Sequence, residues 1–490
     1  MTAIADLAAD LSAARFTVDA LGELWGEDAA AALHRGQRVP ALRALSAVEL
    51  VEAPPLATLA RAFVLGLPVV PSALAAALPV LGFEGAVALG LVDEAGAPLL
   101  DLRPYSFVDG SGVVSWWIAS DLGELALGHA IPEQHVLGVG GASTTLSGLM
   151  VSRPVELALD LGTGCGIQAL HVARHAKRVI ATDISERALE LARFNAELNG
   201  VANIEFRLGS LFEPVPERFG HVVSNPPFVI TPRSAEGVPA YEYRDGGMVG
   251  DALVASVIKD VEAHLEPGGV AQLLGNWEYG SQDGLARVEQ WVRFTGLDAW
   301  VVERERQDVE QYAETWIRDG GTRSGAEFDR LYGAWLDDFA ARGVTHVGFG
   351  YVTLRRPVTG APTLRRFEVL DGPIAGSPDA SALLTAHDWL RDRDLLAESL
   401  TVAPDVTEQR HYWPGDEHPT VMDLRQGSGF ARTVPLGTAL AAVVGACDGT
   451  LPLGAICDAV AQLLEVDAAE LTAEVLPQVR ELVLTGLLLP

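Results

Sequence analysis

Lysine is nearly missing from this chain. Lys177 and Lys259 are the only two in 490 residues, and every other cation is an arginine. Cations of both kinds are outnumbered: 35 lysines and arginines face 65 aspartates and glutamates, a formal net charge of -30. A surface of that sign repels phosphate backbones and anionic membranes, which excludes loose electrostatic binding to either. Cysteine is scarce too. Cys165, Cys447 and Cys457 are too few for a disulfide framework and lack zinc-like spacing, so no metal is expected. The opening MTAIADLAADL is acidic, with no basic region before an apolar one. No secretory signal is read there, and a cytoplasmic protein is expected. One uncharged run at residues 62–83, AFVLGLPVVPSALAAALPVLGF, has bilayer length but contains Pro68, Pro71 and Pro79. The prolines cut it into pieces of about two turns, so a buried helix-turn-helix is expected rather than a span.

What is present is a globular composition, 49% hydrophobic and 20% charged, too apolar for disorder and enough for several cores. Residues 1–125 read as helices and then strands. LATLARAFVLG has helical spacing, Pro71 suits the first turn of a second helix, and FEGAVALGLVDE supplies a third. Two β-rich runs around DGSG then signal a hairpin, so a winged-helix-like accessory domain fits. Residues 1–130 hold 6 arginines and 15 acidic residues, a charge that disfavours nucleic acid as its partner.

From 130 to 370 the pattern alternates. The runs are ELALDLG, KRVIATDIS, NIEFRLGS, HVVSNPPF, GVAQLLGNW, LDAWVVERE and HVGFGYVTLRR, and most are nearly continuous Val, Ile, Leu and Ala. Strands covered on both faces look like that, and their alternation with helices predicts an α/β fold with a mostly parallel sheet. Residues 376–490 read as a helical or winged-helix-like domain of three amphipathic helices, with a short turn at DGT.

Chemistry concentrates in LALDLGTGCGIQALHVA, residues 157–173, a strand, a glycine-rich turn and a helix. Gly162, Gly164 and Gly166, with Thr163 between them, let the backbone turn sharply and approach a ligand closely. Dinucleotide enzymes share such a turn. The second strand, VIATDIS, brings Asp183 17 residues after Gly166, where a carboxylate accepts ribose hydroxyls. Asp160 precedes the glycines. An acid there suits a cationic ligand end, such as the ammonium and sulfonium of S-adenosylmethionine, and would repel a pyrophosphate; the alternative is a cap on the turn.

With ALDLGTGCG and TDIS the chain resembles the class I S-adenosylmethionine-dependent methyltransferases over roughly residues 130–355. The resemblance implies a Rossmann-like domain with a mostly parallel seven-stranded sheet, flanked by the small domains at 1–125 and 376–490. It implies S-adenosylmethionine as cofactor, with Asp183 on the ribose and LGSLFEP beside the adenine. The family often has an acid where this chain has Ser210, so the adenine contacts fall to Ser210 and the backbone of Leu211.

The stretch HVVSNPPFVITP, residues 221–232, ends an apolar run in a stiff corner of two prolines. NPPF is similar to the Asn-Pro-Pro-aromatic motif of amino methyltransferases acting on release-factor glutamine, on adenine and on ribosomal RNA guanine. An amide or exocyclic amine is a poor nucleophile, because its lone pair is delocalised. Asn225 Oδ1 and the Pro226 carbonyl can each accept one N–H of the target and turn its lone pair toward the methyl group, while Phe228 stacks on the planar group. The expectation is an N-methyltransferase acting on a planar nitrogen of a macromolecule, RNA or protein. The alternative is a small-molecule methyltransferase with accessory dimerisation domains, which would want a histidine base, and none is obvious here.

Neighbouring segments supply further candidates. Thr144 and Thr145 in VLGVGGASTTLSGL either bond the cofactor carboxylate or cap a helix. Tyr241, Tyr243 and Arg244 are candidates for a substrate channel. Tyr312, Trp316, Tyr332 and Trp335 lie in an amphipathic helical insertion and read as core rather than lid. Arg355, Arg356, Arg365 and Arg366 form a small basic group or a solvated edge.

Overall fold

The computed structural model describes residues 2–49, 54–109, 112–127, 132, 134–232, 248–322, 324–372, 374 and 380–490. Two compact units divide the chain. Met1–Ser147, Pro154–Val301 and Glu305–Thr363 form the first; Gly148–Arg153, Val302–Arg304 and Leu364–Pro490 form the second.

The first unit opens with helices Ala3–Ala13 and Val18–His34, whose Thr2 and Thr17 hydroxyls cap them by accepting from Ala5 N and Ala20 N. The uncharged stretch is broken as its prolines require. Helices Pro71–Ala77 and Gly82–Ala88 meet at 98°, with Leu74, Ala77 and Leu78 buried. Among the described residues no single helix is long and apolar enough to cross a membrane. Buried Asp10 accepts from Val80 N at 3.1 Å and Leu81 N at 2.9 Å, tying the first helix to this bend. The hairpin follows: β1 (Leu100–Asp109) pairs antiparallel with β2 (Gly112–Asp121).

The seven apolar runs are seven strands: β3 (Val155–Leu161), β4 (Ala176–Asp183), β5 (Ile204–Leu208), β6 (Phe219–Ser224), β7 (Leu265–Tyr279), β8 (Asp298–Asp308) and β9 (His346–Arg355). In the central sheet they run in the order β8-β9-β7-β6-β3-β4-β5, and strand Arg365–Val369 makes it eight-stranded rather than seven. The pairs β5–β4, β4–β3, β3–β6 and β6–β7 are parallel, and β7–β9 is antiparallel. Every residue of β6 is buried, which is why HVVS lacks polar alternation. The insertion forms helices Val309–Asp319 and Ala326–Arg342, and Tyr312 and Trp335 are core residues beside Ile230 and Phe339. Tyr332 and Trp316 are only partly buried against that cluster.

In the second unit helices Thr438–Gly445, Leu453–Leu464 and Ala468–Leu484 share a core of Leu440, Val443, Ile456, Val475 and Val479. DGT is not a turn: it opens strand Asp448–Pro452, which pairs antiparallel with Ser399–Val402. A second small sheet joins Val406–His411, Val421–Gln426 and Thr433–Pro435. These strands are short and largely exposed, so they carry no apolar run to betray them. The arginines are held in place as well: Arg355 pairs with Asp298 at 2.8 Å, and Arg366 with Glu368 at 2.7 Å.

Asp10→Ala leaves the Val80 and Leu81 N–H groups without their acceptor. Urea unfolding should show a loss of about 1–3 kcal/mol, the usual penalty for stranded buried donors.

Candidate functional site

A cavity of about 290 Å³ opens at the carboxyl ends of the parallel strands. Register explains its floor. Leu161 of β3 lies opposite Thr182 of β4 on one side and Ser224 of β6 on the other. Ser224 Oγ donates to the Leu161 carbonyl at 2.8 Å, and Gly162 and Thr163 N–H groups donate to the Thr182 carbonyl at 3.0 and 2.9 Å. The chain leaves β3 through Gly162, Gly164 and Gly166, at φ of +75°, +54° and +87°, where side chains are strained. At Gly166 a Cβ would also sit 3.0 Å from the Ala192 Cβ, so the turn lies flat on helix Glu186–Leu198.

Asp183 ends β4 on the cavity wall. Its Oδ2 accepts from Gly164 N and its Oδ1 from Ser185 N, both at 2.9 Å. Burial nonetheless pushes its pKa up, so the carboxylate gains from further donors. Ser210 and Leu211 line the wall after β5, Leu211 at φ +46°. Asn225, Pro226 and Pro227 line it after β6. Asn225 Nδ2 donates to Ser143 Oγ at 3.4 Å, while Asn225 Oδ1 is buried with no hydrogen-bond partner among the described residues. A buried amide oxygen costs free energy unless a donor reaches it. Among the described residues Asn225 Oδ1 is the open acceptor of the cavity lining, while Asp160 Oδ1 beneath the turn is unpartnered as well.

Other expected residues stand back from the cavity. Asp160 is fully buried beneath the turn, its Oδ2 accepting from Thr163 Oγ1 at 2.6 Å. Phe228 is half-buried, its ring 5.4 Å from Phe349 and 6.4 Å from Trp316. Helix Gly141–Leu149 turns Ala142 and Ser143 to the cavity, whereas Thr144 is exposed and donates to the Gly140 carbonyl at 3.2 Å. Thr145 does not line the cavity either. Tyr241, Tyr243 and Arg244 lie outside the described residues.

Ser143, Gln168 and His135 were missed from sequence. Gln168 Nε2 donates to the Ser143 carbonyl at 2.8 Å and fixes the residue that meets Asn225. Its signal was an amide inside the mostly apolar helix Ile167–Val172, which also carries His171. His135 lines the cavity, where burial lowers its pKa and keeps the ring neutral.

Residues 139–295 match a family model described as a methyltransferase small domain, and residues 13–103 and 381–490 match two models described as domains of unknown function. A putative protein N5-glutamine methyltransferase of Methanocaldococcus jannaschii is 32% identical over 134 residues, 27% of this chain and 67% of that protein. The chain belongs to the class I methyltransferases. A release factor glutamine methyltransferase of Yersinia pestis is 39% identical over 148 residues, 29% of this methyltransferase and 52% of that protein. A ribosomal protein uL3 glutamine methyltransferase of Bradyrhizobium diazoefficiens is 36% identical over 138 residues, 25% of this chain and 42% of that protein. The chain thus spans about half the length of the first curated relatives it matches.

The methyltransferase turn carries a titration. Burial pushes the Asp160 carboxyl up from 3.8 to about 7, against the pull of the Thr163 hydroxyl. Between those values the native state holds a proton that the unfolded chain has released, so this group's contribution to stability is lost as pH rises. Asp160→Asn should remove that slope. Unfolding midpoints measured from pH 4 to pH 7 should show the variant gaining on the wild type as pH rises; a constant difference would contradict the assignment.

Proposed function

We propose that this methyltransferase uses S-adenosylmethionine to methylate the side-chain amide nitrogen of a protein glutamine. The observation that carries the proposal is Asn225 Oδ1, a buried, unpartnered acceptor in the cavity wall at the head of NPPF.

The residues around the cavity fit the cofactor. The Gly162–Gly166 turn, whose three glycines at positive φ leave the backbone bare at those positions, forms one wall. Asp183 offers carboxylate oxygens for ribose hydroxyls, and Ser210 with the Leu211 backbone lies where the adenine would be held. Asp160 acts from below, through Thr163, rather than by contact. When bound, S-adenosylmethionine supplies an electrophilic methyl group. Asn225 Oδ1 and the Pro226 carbonyl accept the two N–H groups of the target amide. This holds the nitrogen so that its lone pair faces one direction, a gain in orientation rather than basicity. The hydrogen bonds strengthen as positive charge develops on that nitrogen. Phe228 backs the corner through Phe349 and Trp316.

Protein is favoured over RNA on two grounds. The relatives above are named for glutamine in proteins, and a net charge of -30 opposes a polyanion. The three separate family models support treating residues 1–125 and 376–490 as accessory to the catalytic residues 130–370.

Two variants separate cofactor holding from amide holding. Asp183→Ala should weaken S-adenosylmethionine binding by roughly 1.5–3 kcal/mol, the scale of hydrogen bonds to a charged acceptor. Asn225→Ala should bind the cofactor as the wild type does while methyl transfer falls at least about a hundredfold. Calorimetry and transfer of labelled methyl read the two effects. Full transfer by Asn225→Ala would end the amide-clamp reading.

A further inference from the structure

Among the described residues the β1–β2 hairpin has no third strand, and the outer edge of β2 is closed by side chains. Asn195 Oδ1 accepts from Ala119 N at 2.7 Å, and its Nδ2 donates to the Ala119 carbonyl at 2.9 Å. Asn199 does the same at Trp117, with distances of 2.9 and 2.8 Å. The spacing is what makes this possible. Four residues of helix rise about 6 Å, close to the roughly 6.8 Å that two residues of strand advance. Two amides one helical turn apart therefore meet alternate residues of an extended edge.

The two asparagines differ in what else they touch. Asn195 Nδ2 also donates to the Cys165 carbonyl at 2.8 Å, inside the glycine turn. Asn199 Nδ2 instead reaches the Asn195 carbonyl of its own helix, at 2.8 Å. The end of the same strand holds the cavity's other wall. Asp121 N–H donates to the Val136 carbonyl at 3.1 Å, and Asp121 Oδ2 accepts from Val136 N at 2.9 Å. Its second oxygen accepts from Arg187 Nη2 at 2.9 Å. Gln134, His135, Leu137 and Gly138 around Val136 all line the cavity. Gly138 lies so close to the hairpin that a Cβ would sit 2.9 Å from Ser120 Oγ.

We infer that the N-terminal hairpin is part of the cofactor site, and that Asn195 and Asp121 are positioning residues through which residues 117–121 hold both the glycine turn and the segment at 134–138. This rests on the reading of the cavity as the cofactor's. The hairpin contributes no side chain to the cavity lining. It sets where the Cys165 and Val136 backbones stand, and loss of the Asn195 or Asp121 tie lowers cofactor affinity.

The test titrates the full chain and three variants with S-adenosylhomocysteine by calorimetry and records their thermal unfolding. Asn195→Ala and Asp121→Asn should bind about five- to tenfold more weakly at temperatures where circular dichroism shows them folded, the scale of one or two lost hydrogen bonds. Asn199→Ala, which frees the strand edge but not the turn, should lose thermal stability and keep its affinity within about twofold. Hydrogen exchange on the unmodified chain covers the case of a variant that does not fold: the amides of Trp117 and Ala119 should gain protection together with residues 134–138 when the ligand is added. Folded variants with unchanged affinity, or no ligand-dependent protection in the hairpin, would overturn the inference. No binding by the unmodified chain would instead bring down the cofactor reading, and this inference with it.

Discussion

The parallel pairing of β3 between β4 and β6 is the constraint on which the site depends. It sets Leu161, Thr182 and Ser224 at one level, so the chain leaves three neighbouring strands at one place. Each exit carries a different chemistry: a glycine turn after β3, the Asp183 carboxylate after β4, and the Asn225 amide after β6. None of these groups could be brought together by local sequence. A one-residue slip of β6 would turn Asn225 to the other face of the sheet and leave the cavity without its acceptor.

Electrostatics at the site are restrained for a chain of this charge. Asp160 and Asp183 are both pushed upward by burial, so neither is a comfortable anion without a donor. Asp183 is served by two backbone N–H groups, and Asp160 by a threonine hydroxyl. Among the described residues Asp160 Oδ1 stays unpartnered beneath the turn, and in the cavity wall the acceptor left open, Asn225 Oδ1, belongs to a neutral amide. That choice suits a neutral planar target better than a charged one, because an amide oxygen can hold an N–H without demanding a counter-charge.

Most of the seven strands were legible because they are buried along much of their length and leave nearly continuous apolar runs, unlike the edge strand β5, which has no buried residue. Asp183 and NPPF were legible because strand ends are marked by an abrupt change from apolar to polar or proline. Which face of helix Gly141–Leu149 meets the cavity was not. GASTTLSG is mostly small and polar, with Leu146 its one large apolar residue, and only the packing shows that Ser143 turns inward while Thr144 turns out. The exposed strands near the C-terminus were hidden for a related reason: Val406–His411 buries almost nothing, so periodicity has nothing to record. The double duty of Asn195 was invisible as well, since one partner lies 76 residues away and the other 30.

The most direct measurement of the central claim is where the methyl group ends. The purified chain, supplied with isotopically labelled S-adenosylmethionine and an extract of its own cells, should place the label in protein. Peptide mass spectrometry should then locate it on a glutamine side chain. Label recovered in RNA nucleosides or in a small metabolite, with none on glutamine, would contradict the account.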